Sequence, residues 1–220
     1  MRFPNALDGV KKIYKAEIIA LLSAILAAVA ALLLLIGAGS AMASAAGGAV
    51  AGLVGGGVLM IAVAVLAIIA FIMNIVGLNK AKPDEDNFKF ALYAVIVGII
   101  ASLLLGFAKS GSFLSGLGDT LNQICSFLCT WYVCTALINL AKSLEDAGME
   151  QKGVNARRLL LTTWCFTIVL NVLGTILNNS SSIALGVVSG IILLAAAVVR
   201  IIAYILYLKL LSNARTMLEA

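Results

Sequence analysis

Six apolar runs, each long enough to cross a bilayer, constrain this chain more than any other feature; they cover residues 18–36, 50–78, 90–108, 121–141, 159–177 and 183–213. About 20 apolar residues at 1.5 Å rise match a hydrocarbon core of about 30 Å, and backbone exposed to lipid must pair within its own segment. Each run is therefore read as a helix. Composition agrees, because 63% of the 220 residues are hydrophobic, only 11% are charged, and the mean hydropathy is +1.13. Soluble domains carry about 25% charged residues. Too little polar surface exists to cover a particle in water. The expected fold is an all-α integral membrane protein, with six transmembrane helices in a single domain over residues 18–213. An amphipathic segment over 1–17 is expected on the cytoplasmic membrane surface, and 214–220 forms a cytoplasmic tail.

Orientation follows from where the basic residues lie. Of the 15 Lys and Arg, all but Lys109 and Arg200 fall at the amino terminus, in the 79–89 and 142–158 loops, or at the carboxyl end. The positive-inside rule then places both termini in the cytoplasm, making this a multi-pass membrane protein. The net charge of +5 belongs to those loops rather than to a nucleic-acid partner. Tyr14, Phe88, Phe90, Tyr204 and Tyr207 fall near the same level, as an aromatic belt would. A cleavable leader is the competing reading of the first run, given Ala41-Met42-Ala43. The run exceeds the usual h-region of about 7–15 residues, and Asp8 and Glu17 are foreign to such a leader. It is taken as a retained span.

Local signals divide the runs. Residues 37–49 read as an uncharged linker, and Asp84, Glu85 and Asp86 suit the start of the third helix. Asp119 or Thr120 can cap the fourth, which is expected to continue past the membrane to Gly148. A loop with Lys152, Arg157 and Arg158 leads into the fifth, and residues 178–182 form a turn. The spans group as three inside–out–inside hairpins, about 10–81, 88–147 and 155–219. The tails Ala141-Lys142-Ser143-Leu144-Glu145-Asp146-Ala147 and Ala214-Arg215-Thr216-Met217-Leu218-Glu219-Ala220 align, as pseudo-repeated hairpins would. A charge period of one hairpin is also what any six-span protein with basic inner loops displays, so both readings stand.

The chemistry available is narrow. There is no histidine, hence no common general base or transition-metal ligand. Cys125, Cys129, Cys134 and Cys165 all lie within apolar runs, unlike a secreted disulfide framework. Two cysteines at i, i+4 without histidine or carboxylate do not complete a zinc set, so no metal or cofactor is expected. An intramembrane enzyme would need a nucleophile with its base, and none is evident.

Small residues recur at every fourth position: Gly48, Gly52 and Gly56; Gly98, Ser102 and Gly106; Gly186 and Gly190; Ala20, Ala24 and Ala28. Such faces let helix backbones approach closely, either within the bundle or against a membrane partner or second copy. Polar residues inside the runs are the candidate ligand-binding set. Arg200 sits between Val199 and Ile201, at a cost of about 2.5–3.5 kcal/mol on translocon scales. It either snorkels to the inner interface or faces the bundle interior, held by Asn139, Thr162 or Thr163 with Glu17 as the nearby opposite charge. Trp131 and Tyr132 fall near the middle of the fourth run, where a pocket would gain polar handles. Asn171, in the outer half of the fifth run, and Asn139, near the inner end of the fourth, are embedded amides, read also as interhelical glue.

These residues point to a solute-binding or transport subunit with a site near the middle of the bundle. A structural or assembly partner without a solute is the alternative. Six spans, cytoplasmic termini and the Ala20, Ala24, Ala28 ladder resemble the substrate-binding subunits of energy-coupling-factor vitamin importers. The resemblance covers architecture alone, since the outer loops here are short and nearly uncharged.

Overall fold

A computed structural model describes the backbone over residues 2–42, 46–106, 113–178 and 183–219, with side chains over 2–35, 54–103, 121–168, 199 and 201–219. The described residues form six helices: α1 Pro4–Met42, α2 Ala46–Ala81, α3 Asp86–Gly106, α4 Phe113–Ser143, α5 Ala147–Asn178 and α6 Ile183–Glu219. Five of them are long and apolar enough to cross a membrane within their described parts, namely α1, α2, α3, α4 and α6. The protein is an all-helical membrane protein.

Several boundaries differ from the sequence reading. Residues 4–17 are continuous with the first apolar run in one helix of 39 residues. The linker expected over 37–49 is helical as far as Met42 and again from Ala46. The loop expected before the fifth run is instead the first part of α5. Nothing in 149–159 breaks a helix except Gly153, and that glycine serves packing: a Cβ there would lie 2.6 Å from Ile138 Cγ1. The fourth helix stops at Ser143 rather than continuing to Gly148.

The turn after α4 shows why. Asp146 N–H donates to Ala141 O (3.0 Å) and Glu145 N–H to Lys142 O (3.1 Å). That paired pattern is a Schellman turn, which needs a left-handed residue at the position Glu145 occupies. Glu145 has φ 58°. Asp146 then caps α5, its Oδ1 accepting Met149 N–H at 2.9 Å, as an N-cap aspartate does. In contrast, the aligned segment 214–219 is helical throughout. The two tails of the suggested repeat thus differ in conformation.

By packing, the chain divides into two compact units, Lys11–Gly77 and Met1–Val10 with Leu78–Ala220. The first is an antiparallel hairpin of α1 and α2. Ser23 Oγ donates to Val63 O (3.3 Å), and Asn74 Nδ2 donates to Glu17 Oε1 (3.3 Å). A Cβ on Gly56 would lie 2.6 Å from Leu34 Cγ and 3.2 Å from Ala30 O. That close approach is the use of small residues expected of Gly56; the side-chain surroundings of Gly48 and Gly52 lie outside the described residues.

In the second unit α4 packs between α3 and α5, touches α6, and α5 packs on α6. Its core gathers toward the basic ends of the helices, where Leu78, Phe88, Val133, Cys134, Leu137, Leu140 and Leu211 are fully buried. Polar contacts join the helix ends there. The Asp84 carboxylate accepts Ala6 N–H (2.7 Å) and Asn5 Nδ2 (2.9 Å), capping α1 from the α2–α3 turn. Arg2 Nη1 donates to Ser143 O (2.8 Å) at the carboxyl end of α4. Both contacts set a charge against the opposite pole of a helix dipole. Lys80 pairs with Asp8, and Lys142 with Glu150 at 3.5 Å.

Candidate functional site

Helical spacing sends neighbouring residues of α4 to different partners. Phe127, Trp131 and Thr135, at i, i+4 and i+8, share one stripe. That stripe meets α5. Phe127 stacks on Trp164 with centroids 4.7 Å apart, and lies 5.8 Å from Trp131. Tyr132, one residue on, turns to α3 and packs at 5.6 Å from Phe90. The expected Trp131–Tyr132 pocket wall is therefore divided between two helix interfaces.

Asn139 is engaged elsewhere again. Its Nδ2 donates to Glu85 Oε1 at 2.9 Å, and Asn87 Nδ2 donates to the same oxygen. Two amides thus hold the carboxylate that precedes α3. The backbones of Asn171 and Arg200 belong to α5 and α6, but both side chains lie outside the described residues. The Thr162 and Thr163 hydroxyls donate to Arg158 O and Leu159 O within their own helix, and Glu17 accepts from Asn74.

One cation missed in the sequence completes the α4–α5 stripe. Arg157 Cζ stands 5.1 Å from the Trp131 ring centroid. Its Nη1 is 3.5 Å from Thr135 Oγ1, whose hydroxyl donates to Trp131 O at 2.9 Å. Among the described residues, no carboxylate lies within ion-pair distance of Arg157. A guanidinium over an indole is held at about 0.5–2 kcal/mol, depending on desolvation. Among the described residues, four of its five donors have no acceptor. The signal available in the sequence was the adjoining run: Arg157 and Arg158 lead into Leu159, Leu160 and Leu161 without a breaker, as a helix entering lipid would.

Farther along α4, Asn122 and Gln123 are exposed, with Asn122 Oδ1 3.6 Å from where a Gly98 Cβ would stand. Cys125 Cβ would lie 3.1 Å from that same Cβ, so α3 approaches α4 closely at Gly98. No family model, curated protein or solved structure matches the chain.

Proposed function

We propose that this is a six-span membrane protein with both termini cytoplasmic, acting as a binding or transport subunit for a small anionic solute. The observation that carries the reading is the Arg157 guanidinium, held over Trp131 with no carboxylate among the described residues. A cation fixed on an aromatic wall, with unused planar donors, suits a carboxylate or phosphate. The site lies at the α4–α5 interface, with Thr135 steadying the guanidinium and Trp164 backing the aromatic stack. The role assigned to Arg157 is recognition of an anion.

The purified protein in detergent should melt higher with at least one member of a panel of small carboxylates and phosphates, since a ligand of the folded state stabilises it by mass action. Arg157→Gln should remove that shift while keeping the parent melting temperature within a few degrees. A flat response across the panel, or an equal shift in Arg157→Gln, contradicts the reading.

An assembly partner without a solute is the second reading. It is favoured by Tyr132 and Asn139, both occupied in internal packing. It predicts a stoichiometric membrane partner in mild-detergent purification and no response to the panel.

A further inference from the structure

Five helices change character at one point along their length. Their exposed large apolar residues stop at Ile18 in α1, Val76 in α2, Phe90 in α3, Leu161 in α5 and Leu206 in α6. Toward the basic end, no exposed large apolar side chain is found among the described residues of any of them. An exposed basic residue stands within four positions of each stop: Lys15, Lys80, Lys89, Arg158 and Lys209.

Burial changes at the same points. The largest fully buried side chains are Val10, Ile13, Leu78, Phe88, Val133, Cys134, Leu137, Leu140 and Leu211. Every one on those five helices lies on the basic side of its helix's stop. For α4, which has no exposed large apolar residue after Leu121, the level comes from its neighbours. Trp131 meets Arg157, and Tyr132 meets Phe90. Val133 to Leu140 then lie on the basic side too.

Apolar outside with few groups buried is the pattern of helices in lipid; polar outside with a dense apolar core is the pattern of helices in water. We propose that the basic-side boundary of the bilayer crosses the switch points of α3, α5 and α6. Lys89, Arg158 and Lys209 there hold the phosphates of anionic lipids, and the helix ends beyond them stand in water as a packed bundle. Lys89 Nζ lies 6.0 Å from the Tyr93 ring centroid, a basic–aromatic pair of the kind that anchors helices at headgroups. Outward from the boundary, Phe90–Gly106 and Leu161–Asn178 supply about 26 and 27 Å of helix at 1.5 Å per residue. Both approach the hydrocarbon thickness of about 30 Å.

This boundary corrects the placement of Trp131. Composition puts it in mid-span, because the inner part of α4 is apolar; that part is apolar as the core of a bundle in water. Asn122 then lies about 13 Å farther out along α4, near mid-membrane. Phe88 and Tyr207, expected in the aromatic belt, are buried core residues, whereas Phe90 and Tyr93 face outward.

The test uses Trp131 and Trp164, the two tryptophans of the chain. Trp164→Phe, reconstituted in vesicles, reports on Trp131 alone. Bromine placed on lipid chains near the headgroup should quench it more than bromine near the chain ends. The complementary variant Trp131→Phe should show Trp164 shifted toward the deeper quencher. Stronger quenching of Trp131 by the deep label overturns the boundary. In Trp164→Phe, brominated phosphatidylglycerol should also quench more than brominated phosphatidylcholine at equal mole fraction. Adding Lys89→Gln, Arg158→Gln and Lys209→Gln should bring the ratio close to one. Equal quenching before that change, or an unchanged ratio after it, overturns the phosphate sites. Retained preference with Arg157 intact would transfer lipid binding to the Arg157 site.

Discussion

At the scale of single residues, the turn between α4 and α5 holds a strained residue and a cap side by side. Glu145 adopts a left-handed conformation that costs an ordinary side chain about 1–2 kcal/mol. Part of that cost is returned on substitution by glycine, whose unfolded chain is freer. Glu145→Gly should therefore raise stability by about 0.5–1 kcal/mol. Asp146→Ala should lower it by about 1 kcal/mol, because Met149 N–H loses its acceptor. Melting in detergent checks both, and movement of the two variants in the same direction would contradict the assigned turn. Gly148 drew the sequence reading because glycine is the usual helix stop. Glu145 escaped it because no residue type announces a left-handed glutamate. Arg157 escaped for a related reason: a basic stretch reads as loop until a neighbouring helix is seen to supply Trp131 and Thr135. With the proposed boundary at Leu206, Arg200 lies about 9 Å inside it along α6, a depth from which arginines can snorkel.

At the scale of elements, the length of the apolar runs located all six helices. It failed on where helices begin and on what surrounds them. The first part of α5 is polar enough to look like a loop, yet it is helical because Asp146 caps it and Met149 and Ala156 are buried. The inner part of α4 is as apolar as a span, and only the packing of Val133, Cys134, Leu137 and Leu140 tells core from lipid contact. Small-residue spacing was legible and informative at Gly56, where Leu34 and the Ala30 carbonyl leave no room. Gly56→Ile should overpack the α1–α2 hairpin and cost about 1–3 kcal/mol. Gly55 has nothing within 4 Å of an added Cβ, so Gly55→Ala should melt like the parent. A tolerant Gly56→Ile would mean that α2 does not pack on α1 through that face.

At the scale of the whole molecule, the candidate site was the least legible part. Trp131, Tyr132 and Asn139 were each singled out as polar or aromatic groups within apolar runs, and helix geometry sent them to α5, α3 and the α2–α3 turn respectively. Sequence spacing gives a face, but the partner opposite that face is set by tertiary packing. The proposed orientation draws on thirteen basic residues summed over several loops and not on any one contact. Six spans with both termini cytoplasmic is the frame within which the anion site and the lipid boundary are argued. Labelling with a membrane-impermeant thiol reagent on intact cells tests that frame most directly. Ser181→Cys should be labelled above the parent's background, while Gln151→Cys should react only after the membrane is permeabilised. Labelling of Gln151→Cys in intact cells, with Ser181→Cys protected, would contradict the account.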